Sequence, residues 1–219
     1  MYIAIEGVIG VGKTTLASLL APSFKADVLL EVFEENPFLS DFYGDRQRYA
    51  FQTQMFFLLS RYHQQRRYVH GLLDDGNSLI SDYTFAKDSL FASINLQGDE
   101  LDMYGRIHEA LAEKIIMPDL LVYLRADTSI LMQRIAMRDR RYERNMDVNY
   151  IDQLNQAYEK FFSKPYNGTP ILVIDSNHLD FVRQKEHLNL IENRIRETLK
   201  IFPFQSELPL DNKIPYEEK

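Results

Sequence analysis

The run Gly7-Val8-Ile9-Gly10-Val11-Gly12-Lys13-Thr14 is a complete GxxxxGK[ST] loop, and its chemistry is the grip on a nucleoside triphosphate. Glycine admits backbone angles closed to other residues, so successive N–H groups, that of Val11 among them, can turn inward on phosphate oxygens at the positive end of a helix. Lys13 would reach the β- and γ-phosphates, and the Thr14 hydroxyl would coordinate Mg²⁺. Thr15 follows as a helix residue at the edge of the phosphate-binding run. A chance glycine-rich turn is the alternative. The setting favours the loop, because Tyr2-Ile3-Ala4-Ile5 before it reads as a buried strand and Leu16, Leu19 and Leu20 after it have helical spacing.

Two carboxylates follow apolar strand-like runs, Glu31 after Val28-Leu29-Leu30 and Asp82 after Leu79-Ile80. In an open parallel sheet the ligand sits beyond the carboxyl ends of the strands, so both should converge on the triphosphate. Glu31 as a general base would accept the proton of an attacking hydroxyl, and Asp82 would hold Mg²⁺ or its water. The alternative for each is a carboxylate that only orders a loop. Gln54 and Arg61 punctuate the apolar stretch Met55 to Leu59 and stand seven residues apart, nearly two helical turns, which puts them on one face. Gln offers a donor and an acceptor side by side, suited to a nucleobase edge, and Arg a planar fork. An internal polar network closing the core is an equal reading. Phe33, Phe38, Phe51, Tyr83, Phe85 and Phe91 could stack a base or be plain core. Arg134, Arg138, Arg140, Arg141 and Arg144 fall within eleven positions, with Arg134, Arg138 and Arg141 expected on one helical stripe. Such a cluster is either a solvated face or a lid that brings cations to a transferring phosphoryl group, and the phosphate loop favours the lid.

These residues need a frame. Strand-like runs at 2–5, 28–30, 79–80, 120–124 and 171–174 alternate with helices expected near 13–20, 46–69, 86–116, 128–138, 148–162 and 184–200. That alternation predicts an α/β protein, a doubly wound parallel sheet of five strands flanked by helices. The expected organisation is one domain over 1–200 with an Arg-rich lid at about 134–147, and an extended or disordered tail over 201–219, where Pro203, Pro209 and Pro215 recur. At 219 residues the chain can bury a substantial core. A net charge of −7 argues against general nucleic-acid binding, which needs an excess of Lys and Arg. There is no cysteine, hence no disulfide framework and no thiol nucleophile. With a core strand at the outset and no apolar run near the roughly twenty residues that span a bilayer, the expectation is a cytoplasmic protein without signal peptide or membrane anchor.

Further signatures carry a resemblance. Glu31-Val32-Phe33, Asn36-Pro37-Phe38-Leu39, Phe42-Tyr43, Phe51-Gln52-Thr53-Gln54 with Arg61, and Arg134-x-x-x-Arg138-x-Arg140 before Glu143 are similar to the deoxyribonucleoside kinases, the bacterial deoxyadenosine/deoxyguanosine type in particular, from residue 2 to about 198. The resemblance implies a P-loop kinase fold and ATP-dependent 5′-phosphorylation of a deoxyribonucleoside for nucleotide salvage, with Mg²⁺. Glu31 matches the family's base, which deprotonates the sugar 5′-hydroxyl. Gln54 matches the residue that pairs with the nucleobase edge, flanked by Arg61 and Asp88, with Lys87 one position away as a competitor. Tyr43 and Glu143 match the pair on the 3′-hydroxyl, with Tyr43 crowding the 2′ position; Phe85 and Phe91 fall to the substrate side. Arg134, Arg138 and Arg140 match lid residues on the phosphates. Ser176 to Phe181, with Asp180, matches the loop that packs on the adenine of ATP. A homodimer built through helices 46–69 and 86–116 is implied too. One departure stands out: the family often carries an acidic residue, Arg and Ser after the third strand, whereas this chain has Asp82-Tyr83-Thr84.

Deoxyadenosine is the favoured substrate on this reading, with deoxycytidine as an alternative. A nucleoside monophosphate kinase such as a thymidylate kinase is the nearest rival, but it needs a cationic site near the second strand, where Glu31-Val32-Phe33-Glu34-Glu35 is acidic. A regulatory nucleotide-binding ATPase is the other, and the chain shows no NKxD-like guanine reader.

Overall fold

The computed structural model describes residues 1–164 and 166–201. The expected tail over 201–219 lies, past Ile201, outside the described residues. Among the described residues five strands form one parallel sheet in the order β2-β3-β1-β4-β5, with β1 Tyr2–Glu6, β2 Ala26–Leu29, β3 Ser78–Ser81, β4 Leu120–Arg125 and β5 Ile171–Asp175. β1 and β4 are buried along almost their whole length, as strands covered on both faces must be, which is why they read as continuous apolar runs. Strand order reverses around β1, so the crevice at its carboxyl end is the place for a ligand.

The helices are α1 Lys13–Phe24, α2 Leu39–Gly44, α3 Arg46–Gln64, α4 His70–Asp74, α5 Lys87–Asn95, α6 Gly98–Ala112, α7 Thr128–Arg138, α8 Val148–Phe162 and α9 Lys185–Leu199. A π-helical turn over Gln65–Val69 joins α3 to α4. Three expectations are corrected. β2 begins two residues earlier than the apolar run, because edge residues Ala26 and Asp27 pair with Ser78 and Leu79 although neither is apolar enough to stand out. The single helix expected over 86–116 is two, broken where Leu96 and Gln97 turn extended and Gly98 adopts φ +53°. The stripe Arg134, Arg138, Arg141 does not continue either. Helix α7 stops at Arg138, Asp139 adopts φ +47°, and Arg141–Glu143 is a short 3-10 turn, so the arginines fan out instead.

The core lies on both faces of the sheet. Leu16, Leu20, Leu58, Leu131, Ile151, Leu154, Tyr158, Ile191 and Ile195 from five helices are fully buried against β1, β3 and β4. Among the described residues no helix is long and apolar enough to cross a membrane.

Candidate active site

One cavity of about 490 Å³ opens over the carboxyl ends of β1, β2 and β3. Its wall brings together the phosphate-loop residues Gly10, Gly12, Lys13, Thr14 and Thr15, the carboxylates Glu31 and Asp82, the helical pair Gln54 and Arg61, Tyr43, Phe91, and the lid residues Arg138, Arg140 and Glu143. Residues more than a hundred positions apart thus line one space.

The phosphate loop is held open by its glycines. A side chain at Gly10, φ +89°, would press on Leu131 O and Ile135 within 3 Å, so the loop lies directly on α7. Within the loop, Gly7 and Val11 are buried. Lys13 Nζ donates to Gly7 O at 2.7 Å and Val8 O at 3.1 Å. Burial, and then the neighbouring Lys87 charge, lower its pKa from the usual range to about 8. Glu6, outside the residues expected at the site, is fully buried under the loop. Its carboxylate accepts from Thr84 N–H at 2.6 Å, Thr84 Oγ1 at 2.9 Å, Gly7 N–H at 3.2 Å and the Tyr158 hydroxyl at 3.2 Å. Its only sequence signal was a charged residue closing a buried strand.

Across the cavity the Thr14 hydroxyl donates to Asp82 Oδ2 at 2.5 Å, while Asp82 Oδ1 accepts the backbone N–H of Glu31 at 2.7 Å. Asp82 therefore fastens β3, the segment after β2 and α1 to one another. Thr14 Oγ1 and Asp82 Oδ2 are adjoining hard oxygens, a donor set that suits Mg²⁺, which takes one or two protein oxygens and fills its octahedron with phosphate oxygens and water.

The Glu31 carboxylate lies between two cations. Arg61 Nε donates to its Oε1 at 2.9 Å, with the Arg61 terminal NH2 on the same oxygen, and Lys87 Nζ reaches Oε2 at 2.6 Å. Burial pushes this carboxyl up, but the Arg61 and Lys87 charges outweigh it and hold it well below the usual carboxylate range. The remaining arm of Arg61 grips Asp88. Asp88 is fully buried and sits behind Arg61 rather than on the cavity wall, whereas Lys87 is on the wall. Gln54 is buried with its Oε1 unpartnered, as is the Thr53 hydroxyl beside it. Asn36 braces this side, donating to Thr53 O at 3.1 Å and accepting from Phe38 N–H at 3.0 Å.

On the lid side Arg138 forks onto Glu143 with two bonds of 2.6 Å, and Arg140 stacks over Phe33 at 4.2 Å. Tyr43 and Tyr142 stack with centroids 6.2 Å apart. Arg144 pairs with Asp139 in solvent instead. Arg134 turns away from the cavity and ties Val11 O at 3.3 Å to Ser176 O at 2.7 Å and Ser176 Oγ at 3.1 Å. Phe181 packs on Gly12, and Asp180 caps its own loop by accepting from Arg183 N–H at 3.0 Å. Like Asp88, Phe85 is a substrate-side residue that the structure does not bring to the cavity wall. It stacks on His108 at 4.8 Å and lines a separate cavity between α5, α6 and α8. Residues 85 to 91 run through a turn into α5, so only some of them can face the site.

A phosphate-binding loop at the reversal of a parallel sheet, an ionised carboxylate across from its lysine and an arginine-bearing helix end above them define a P-loop enzyme of phosphoryl transfer. The chain matches the family described as deoxynucleoside kinase over residues 3–200, and it belongs to that family. It is 33% identical over 201 residues to a deoxyguanosine kinase of Bacillus subtilis, covering 90% of this chain and 97% of that one. It is 30% identical over 196 residues to a deoxyadenosine kinase of Dictyostelium discoideum, covering 87% and 78%. Among solved structures, deoxyadenosine kinase from M. mycoides with bound dATP superposes with TM-score 0.78 at 26% identity, covering 90% of this chain and 99% of that one. The chain is a deoxynucleoside kinase, a transferase that phosphorylates deoxynucleosides with ATP. The monophosphate-kinase and regulatory-ATPase rivals fall away.

Proposed function

We propose that Glu31 is the base of this kinase and that the transfer runs across the cavity from a triphosphate on Lys13 to a sugar 5′-hydroxyl beside residue 31, with deoxyadenosine the favoured acceptor. The observation that carries the reading is the shared cavity, in which an ionised carboxylate stands opposite the phosphate loop. The hydroxyl oxygen bonds to the γ-phosphorus as the bond to the β,γ-bridging oxygen breaks; its proton passes to Glu31, and the bridging oxygen leaves on the nucleoside diphosphate. Lys13, Arg138 and Arg140 supply the cations that such a charge-spread transition state needs. Thr14 and Asp82 would hold Mg²⁺, which when bound would supply positive charge to offset that of the triphosphate.

On the acceptor side Gln54, with Arg61 and Phe91, reads the base, and Tyr43 with Glu143 holds the 3′-hydroxyl. Asp88 acts through Arg61, which it grips, rather than on the base itself. Asp180 and Phe181 border the donor base, and Arg134 sets the loop that carries them. The working form is a cytoplasmic homodimer. Support for the dimer comes from α6, where Tyr104 is buried, Ile107 and Leu111 are half-buried and Met103 is 54% exposed.

The test is transfer of labelled γ-phosphate to each of the four deoxynucleosides, with deoxyadenosine expected to give the highest kcat/KM. In parallel, Glu31→Gln is expected to bind ATP and nucleoside but to lose kcat by about 10²–10⁴-fold. Near-normal turnover would move the base elsewhere.

A further inference from the structure

We infer that Lys87 is a positioning residue of this kinase: its ammonium holds Glu31 in the orientation that receives the hydroxyl proton, the place left without an arginine in Asp82-Tyr83-Thr84. The inference rests on the reading of Glu31 as the base.

The contacts divide Glu31 between two helices. Arg61, from α3, spends one arm on Asp88 and places the others on Oε1. Oε2 is left to Lys87, from α5, at 2.6 Å. Lys87 is only 7% exposed, and its ammonium lies 5.5 Å from the Phe91 ring centroid. It is the first residue of α5, the positive end of a helix, where a lysine is disfavoured. A buried cation set against the helix dipole needs a compensating partner, and the partner here is the carboxylate on the wall of the reaction cavity. Tyr83 stands where the arginine would be, but it points elsewhere: its hydroxyl donates to Gln64 Oε1 at 2.7 Å. Successive helical residues project about 100° apart, so Lys87 and Asp88 can serve Glu31 and Arg61 separately.

The charges around Glu31 come from several elements. Arg61 and Lys87 favour its ionised form, and Lys13 on α1 adds a third positive charge. Asp82 faces its backbone, while Tyr83 and Tyr158 sense its charge as neutral phenols. Deleting the Lys87 charge removes one of the two cations in contact with Glu31 and leaves Oε2 without the contact that fixes it.

The experiment compares wild type, Lys87→Met, Lys87→Arg and Glu31→Gln in kcat and in KM for deoxynucleoside and for ATP. Lys87→Met is expected to lower kcat about 10–100-fold with little change in either KM. Lys87→Arg is expected to recover most of kcat. Lys87→Met with normal kcat would overturn the inference, as would a loss confined to KM, which would make Lys87 a substrate contact. If Lys87→Met does not fold, Lys87→Arg decides: a kcat near wild type supports the inference, and a loss as deep as that of Glu31→Gln overturns it. A Glu31→Gln variant with normal turnover would instead sink the reading of the base, whatever the Lys87 variants do.

Discussion

Lys13 and Glu31 face each other as an ammonium pushed down and a carboxylate pushed down, and the signs have different consequences. With its pKa at about 8, Lys13 is charged at neutral pH and loses its charge as pH rises through that value. Capture of ATP, measured as kcat/KM for ATP at saturating nucleoside, should therefore show an alkaline limb near pH 8 in the wild-type enzyme. Glu31 is depressed in the fold, so its contribution to stability is complete above the unfolded value of about 4.3 and is lost as pH falls below it. Arg61 joins the cavity-wall Glu31 to the buried Asp88, and Arg61→Met would leave Asp88 buried without its cation. Urea unfolding should show a loss of about 3–5 kcal/mol, along with a fall in activity. Much of this site was legible from local rules. A spacing of seven puts Gln54 and Arg61 on one face of α3, and both line the cavity. The division of labour between Lys87 and Asp88 was not, because it depends on the angle at which α5 starts. Phe85 escaped for the same reason, and Glu6 because a chain reading does not show which donors a buried carboxylate will meet.

The phosphate loop works as an element because α7 lies against it. Gly10→Ala would drive a methyl into Leu131 O and Ile135 at under 3 Å and impose a strained φ. The expected outcome is a loss of ATP binding by isothermal titration that exceeds any loss of nucleoside binding. At the break between α5 and α6, Gly98 has open space around a missing side chain but a left-handed φ, so Gly98→Ala should cost about 1–2 kcal/mol in thermal unfolding while leaving KM values unchanged. Strands and long helices were readable because their periods are local. The α5/α6 break and the stop of α7 were hidden because Leu96 and Gln97, of ordinary helix propensity, turn extended and Asp139 takes a left-handed φ under tertiary constraint; Gly98 was the one local signal of the break.

For the molecule as a whole, ligand binding and folding are coupled. Deoxyadenosine at a hundred times its dissociation constant should add about 2.7 kcal/mol and raise the melting temperature by about 5–10 °C. A nucleoside monophosphate should do less, since its extra charge meets the Glu31–Glu35 segment. If α6 packs on a second copy, sedimentation should give twice the mass of 25.8 kDa, and Met103→Lys should halve it. The parallel sheet follows from the alternation of strand and helix; the strand order, which puts Glu31 and Asp82 on the same side of the phosphate loop, comes from crossover connections that no window of sequence contains.

Glu6 spans these scales. Its two oxygens answer four donors drawn from the phosphate loop, the β3 exit and α8. An isosteric amide at that spot, Glu6→Gln, would set an NH2 against groups that themselves donate. Slack would then open at a hinge pin common to both walls, so donor and acceptor should lose their footing together, with both Michaelis constants climbing in step even though neither ligand ever meets residue 6.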